Sequence, residues 1–183
     1  MITDIHGGSL YRLVGKARWP LFGREVKVSF GKGTDVSSEY AEKCVSQLLS
    51  LDAAGIEQLL KASIRFFRDA EWCHGEPPPF MFEFEDMEYP QNLNVPANIL
   101  PYIIPVAMYI DREIPEVYSI SVFSECAWEP EHGLQWVVRN GRPLYVGGFA
   151  GLGSHAEEGI YLETWQENNY LLNKFPPPQQ ANT

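Results

Sequence analysis

The residues able to do chemistry in this chain are chiefly carboxylates, and they fall into four groups. These are Glu83, Glu85, Asp86 and Glu88; Asp111, Glu113 and Glu116; Glu125, Glu129 and Glu131; and Glu157, Glu158 and Glu163. Paired carboxylates can run glycoside hydrolysis or hold a metal ion, but both tasks need a set separation that chain spacing does not supply. Solvated loop charge is the simpler reading for most of them. The third group differs because Trp128 interrupts it, inside the connection Glu125-Cys126-Ala127-Trp128-Glu129-Pro130-Glu131-His132-Gly133. An aromatic framed by acids and a proline suits a protein interface, where aromatic anchors carry much of the binding energy. The competing reading folds Trp128 back onto the sheet. Candidate contact residues are therefore Glu83, Glu85, Asp86, Glu88, Glu125, Trp128, Glu129 and Glu131.

Other chemistry finds less support. Cys73 and His74 with Cys126 and His132 would make a four-ligand zinc site, but zinc ligands come in close pairs and an adjacent Cys-His does not fit. A cysteine nucleophile needs an activated thiolate. Cys126 sits among carboxylates that oppose ionisation, and Cys44 lies on a helical stripe expected to be buried. The run Gly147-Gly148-Phe149-Ala150-Gly151-Leu152-Gly153 follows a strand, yet matches neither phosphate-loop pattern and reads as a flexible exit from that strand. No catalytic residue, cofactor or metal ligand is assigned.

Composition narrows the partners. The chain has 183 residues and a net charge of −10, from 24 Asp and Glu against 14 Lys and Arg. Such a surface disfavours nucleic acid and anionic membranes and favours a basic protein. No run approaches the ~20 apolar residues of a membrane span, and no basic segment leads into an apolar one at the start. Three cysteines at long spacings fit a reducing compartment, so the cytoplasm is the expected location.

The elements that must position these groups follow from periodicity. Ser9–Gly15 and Arg24–Phe30 read as strands, the second with Val26, Val28 and Phe30 alternating against Glu25, Lys27 and Ser29. Ser37 is the expected cap of a helix whose stripe is Ala41, Cys44, Val45, Leu48 and Leu49. Asp52 caps a second helix, to about Glu71, with Ile56, Leu59, Leu60, Ile64 and Phe67 inward. The short gap between the two implies an antiparallel pair. Phe80–Phe84 reads as a short edge strand. The proline-rich 89–105 stretch reads as a loop with at most a helical turn around Ala97–Leu100. Val106, Met108 and Ile110 alternate into a further strand.

A meander closes the fold: Val117–Ser124, then Leu134–Arg139, turned by Asn140-Gly141, the residues a type I′ hairpin prefers. A two-residue turn sets Arg139 opposite Arg142, Val137 opposite Leu144 and Trp136 opposite Tyr145. One face then carries Leu134, Trp136, Val138 and Tyr145, the other Val137, Leu144 and Val146. Apolar residues on both faces require cover on both. The helices supply one side; the N-terminal strands or a second copy of the chain would supply the other. Residues 160–172 have no clear type, and 175–183, with three consecutive prolines, have the composition of a disordered tail. The expectation is one α+β domain over 1–174: an antiparallel sheet, from an N-terminal strand pair and a C-terminal meander, packed with an antiparallel helix pair.

The order Phe22-Gly23-Arg24-Glu25-Val26-Lys27-Val28, two amphipathic helices, the acidic turn through Leu134, and Arg139-Asn140-Gly141-Arg142 with Tyr145-Val146-Gly147 resembles a bacterial family of uncharacterised α+β domains. Members occur beside polymorphic and type VI secretion toxins as immunity proteins. The similarity covers about Leu10 to Gly151, rests on turn signatures, and brings no catalytic residues. It implies a protein that neutralises a cognate toxin by binding. A cytoplasmic nuclease with a basic cleft is the target the charge favours. The alternatives are a hydrolase using scattered carboxylates with His132, and a small-ligand module with a pocket under the meander.

Overall fold

The computed structural model describes residues 1–74, 84, 86–164 and 166–172, the side chains of 71–74 excepted. Its strands are β1 (Thr3–Gly7), β2 (Leu13–Trp19), β3 (Arg24–Phe30), β4 (Ile103–Ile110), β5 (Ser119–Cys126), β6 (Leu134–Arg139) and β7 (Arg142–Gly147). They form one seven-stranded sheet in chain order. Every pairing is antiparallel except β3–β4, which is parallel. The exception has a simple cause: α1 (Ser38–Leu49) and α2 (Ala53–His74) intervene there and carry the chain back to the end from which β3 began. The fold is α+β.

Local chemistry accounts for the helices. The Ser37 hydroxyl accepts the Tyr40 N–H at 3.2 Å, and Asp52 Oδ1 accepts the Gly55 N–H at 2.7 Å, so each first turn has a side-chain partner for an otherwise orphaned donor. Both stripes face one side of the sheet. Tyr40, Ala41, Cys44, Val45 and Leu48 from α1 join Leu59, Leu60, Ile64 and Phe67 from α2 against Val28, Phe30, Met108, Ile120, Trp136 and Val146. Trp19 and Trp136 meet edge to face at 6.0 Å. The Trp136 indole N–H donates to the Ser63 hydroxyl at 3.0 Å, which keeps a buried polar serine satisfied inside α2.

Several boundaries move. β1 was not anticipated, because all five of its residues are exposed and carry no alternation. β2 starts at Leu13 rather than Ser9. The single turn expected at 97–100 is a longer 3-10 stretch, Pro96–Tyr102. The expected strand at Phe80–Phe84 lies outside the described residues except for Phe84, which is buried, and so does the expected tail.

The hairpin turns where expected, with Asn140 at φ 48° and Gly141 at φ 69°, and Arg139 does face Arg142. The register then shifts. Val138 faces Pro143 while Val137 faces Tyr145, which leaves Leu144 as an extra residue on β7. Pro143 has no N–H to offer the ladder, and a bulge beside it accommodates that. Trp136 consequently faces Val146, not Tyr145. The corrected faces are Leu134, Trp136, Val138 and Val146 toward the helices, and Val137, Leu144 and Tyr145 away from them.

The second face is covered by neither of the expected elements. Residues 148–164 fold back under β5–β7, placing Leu152, Ala156 and Tyr161 on Val137, Leu144 and Tyr145. The glycine run is thus the entry to an ordered strap. Beyond it, short helical turns bring Asn169 to the outer edge of β7. Its side-chain amide donates to the Leu144 carbonyl at 2.8 Å and accepts the Val146 N–H at 3.3 Å, in place of an eighth strand. Gly147 permits this approach, since a Cβ there would lie 2.2 Å from the Asn168 carbonyl oxygen.

Candidate functional site

The acidic turn between β5 and β6 was the leading contact candidate, and its aromatic is not available for contact. Trp128 is 2 % exposed and packs edge to face on Phe66 and Phe67 of α2, with ring centroids 6.0 and 5.7 Å away. Burying so large an apolar ring against the helix outweighs leaving it in a loop, although its indole N–H finds no acceptor among the described residues. Glu129 is also committed to structure. Its Oε1 accepts the backbone N–H groups of Glu131 and His132 at 3.3 and 3.2 Å and meets His132 Nδ1 at 3.3 Å. That leaves Glu125 and Glu131 exposed at this end of the sheet, with Asp86 and Glu88 exposed in the preceding loop; Glu83 and Glu85 lie outside the described residues.

Cys126 is buried, and burial first, with Glu129 a lesser contributor, pushes its thiol well above the ordinary value. Cys44 is pushed up to about 12, again chiefly by burial. Both are neutral at any physiological pH, which removes them as nucleophiles. The side chains of Cys73 and His74, needed for the zinc alternative, lie outside the described residues. Among the described residues no group of three or more His, Cys, Asp or Glu side chains is arranged to hold a metal ion.

The polar centre that sequence reasoning missed is His155, on the strap. His155 Nε2 lies 2.8 Å from the Tyr40 hydroxyl, and Nδ1 lies 3.0 Å from the Ser154 hydroxyl. The Ser154 N–H donates to Asp111 Oδ2 at 2.6 Å. The Tyr40 hydroxyl donates to the Val117 carbonyl, so a neutral ring protonated at Nε2 donates to Tyr40, while its Nδ1 shares the single Ser154 hydroxyl proton with Asp111 Oδ2, 3.2 Å from that hydroxyl. Arg139 donates to the Ser154 and Ala156 carbonyls at 3.0 and 2.6 Å, and Arg112 to the His155 carbonyl at 3.0 Å. Gln135 reaches the Leu152 carbonyl at 2.9 Å.

Ser154, His155 and Asp111 share residue types with a hydrolytic triad. The order differs: the serine stands between the acid and the histidine, where a triad needs the histidine in the middle. Ser154 is fully buried, so no substrate reaches its hydroxyl. Burial lowers the His155 pKa from 6.5, helped by Arg139 and Arg112 and opposed by the Val117 carbonyl and Asp111. The arrangement can clamp a strap. Only the adjacency Ser154-His155 was visible beforehand, and its partners come from four distant parts of the chain.

The rest of this sheet face has no strap over it, although Ser29 and Ala107 within it are buried. The ladder aligns Lys16, Lys27, Ala107, Phe123 and Gln135 in one row across the strands, and Val14, Ser29, Tyr109, Ser121 and Val137 in the next. Over β5–β7 these rows lie beneath the strap. Over β2–β3, Lys16, Arg18, Glu25 and Lys27 stand exposed. Between the two, Tyr11 stacks on Tyr109 at 5.4 Å, and Phe123 meets the exposed Phe149 edge to face at 5.2 Å.

Architecture and surface together define a single-sheet α+β domain with one helix-covered face and one half-strapped face, and with its accessible chemistry in exposed charge. Residues 8–153 match the family model of a domain of unknown function, DUF6985, and the chain belongs to that family. No curated protein and no solved structure matches it. Among the described residues no helix is long and apolar enough to cross a membrane.

Proposed function

We propose that this chain is a cytoplasmic immunity protein that binds a cognate bacterial toxin, of a type VI or other contact-dependent system, and neutralises it by covering a basic nuclease cleft or blocking its assembly. The observation that carries the reading is exposed acidic charge free of structural duty: Asp86, Glu88, Glu125 and Glu131 form no ion pair among the described residues. From residue 38 onward the chain has 21 Asp and Glu against eight Lys and Arg. Such a surface steers a basic partner into contact and repels nucleic acid from the site it covers. The resemblance noted above supports the same reading. With Trp128 in the core, the proposed contact rests on the carboxylates.

The test is co-purification with the product of the neighbouring gene, followed by inhibition of its nuclease activity. Glu125→Lys with Glu131→Lys should weaken the complex, and raised salt should slow its formation. If no neighbouring product binds, the reading fails. The hydrolase alternative required His132 to meet two carboxylates; among the described residues Glu129 alone lies within 4.0 Å of it.

A further inference from the structure

We infer that the unstrapped β2–β4 half of the sheet is a docking surface for an acidic segment of a second protein, gripped by Lys16, Arg18 and Lys27 and bordered by Tyr109 and, at the edge of the strap on β5, by Phe123. The inference goes beyond the toxin reading, which uses the opposite charge. Charge segregation is its first support. Through Ser37 the chain carries six Lys and Arg against three Asp and Glu, in a protein whose net charge is −10. Alternation along β2 and β3 then sorts three of those six cations, with a single carboxylate of those strands, Glu25, onto the side of the sheet away from the helices.

The second support is a local cost. Lys16 lies directly opposite Lys27 on neighbouring strands, and like charges so placed destabilise a sheet. Lys16 has a partial remedy in Asp4 at 3.5 Å, and Arg18 lies opposite Glu25 on the neighbouring strand, whereas Lys27 has no ion pair among the described residues. An anionic partner would relieve that repulsion. Aromatic footing adjoins it in the same rows, through Tyr109 and through Phe123 with the exposed Phe149. Tyrosine and arginine, both present on this face, are residue types that interface hot spots favour.

Charge also decides what kind of anion fits. Double-stranded nucleic acid carries one charge per about 1.7 Å of axis, and along its length it would meet the acidic remainder of this chain. A short acidic peptide segment stays within the patch, since fields from exposed charges fade over about 8 Å at physiological salt.

The probe is a twelve-residue peptide alternating Glu or Asp with Leu or Phe, titrated into the full chain while backbone amide shifts are followed by NMR. Saturable shifts at Lys16, Arg18, Lys27, Tyr109 and Phe123 are expected. Lys16→Glu with Lys27→Glu should weaken binding about tenfold or more, and high salt should do the same. Both side chains are exposed, and the amide spectrum of the double variant reports whether it folds. Glu125→Lys with Glu131→Lys should leave peptide binding unchanged, so this surface and the toxin surface fail separately. Shifts elsewhere, no shifts, an unaltered affinity in the lysine variant, or tighter binding of a uridine oligonucleotide to the same face would each overturn the inference.

Discussion

One face of a single sheet is treated in two ways. Over β5–β7 a strap from the C-terminal side lies on it, held by Arg139, Arg112, Asp111, Gln135 and Tyr40, with a small apolar cluster beneath. Over β2–β3 no strap lies on it, and Lys16 sits across from Lys27 beside an exposed Arg18 and Glu25. The strapped half spends its polar groups on structure; the unstrapped half leaves them for solvent or a partner. Where buried polar side chains satisfy backbone groups, substitution is costly; where cations face water, it is cheap. Stability effects and binding effects should therefore separate along this boundary.

The largest effect expected in the molecule comes from the opposite, helix-covered face and sets the scale. Trp128→Ala should cost about 3–5 kcal/mol in urea unfolding; a loss below about 1 kcal/mol would place the ring at the surface after all. Next comes the clamp. Arg139→Met keeps the stem but removes the donors to Ser154 and Ala156, for about 2 kcal/mol, and amide exchange should quicken across 150–161 while β2–β3 is unaffected. Equal exchange in both halves would erase the distinction drawn here.

The third test is pH. The His155 pKa is lowered from 6.5 in the folded chain, so the unfolded chain takes up the proton first as pH falls. His155 therefore contributes stability that is complete above about pH 6.5 and is lost progressively below it. His155→Gln should remove that component of the acid profile, seen as a flatter dependence of the urea midpoint on pH than in the parent chain. The smallest effect belongs to the unstrapped half. Lys27→Glu, opposite Lys16, should raise stability by about 0.2–1 kcal/mol while weakening the acidic peptide. A residue whose replacement stabilises the fold and damages binding is the signature of a surface kept for contact.

Some elements were legible because their causes are local. Ser37 and Asp52 cap the helices in which they were anticipated, since a cap involves only three or four neighbouring residues. The alternation of Val26, Val28 and Phe30 fixed which side of β3 is buried. Elsewhere a local rule met a neighbour it did not include. The I′ turn sets the first rung at Arg139 and Arg142, but Pro143 breaks the count one residue later. Trp128 reads as loop aromatic or core ring with equal right until Phe66 and Phe67, some sixty residues earlier, supply the place it fills.

By itself the sequence determined the α+β class, both helices, the meander and its turn, and the acidic balance that points away from nucleic acid. These rest on periodicity, capping and charge, which act between residues close in the chain. Tertiary structure alone decided that Trp128 is core, that a strap and an Asn169 plug close the sheet's far half, that His155 is a clamp, and that Lys16 stands opposite Lys27 on an open face. Each of these depends on which distant segments meet, and chain spacing carries no record of that.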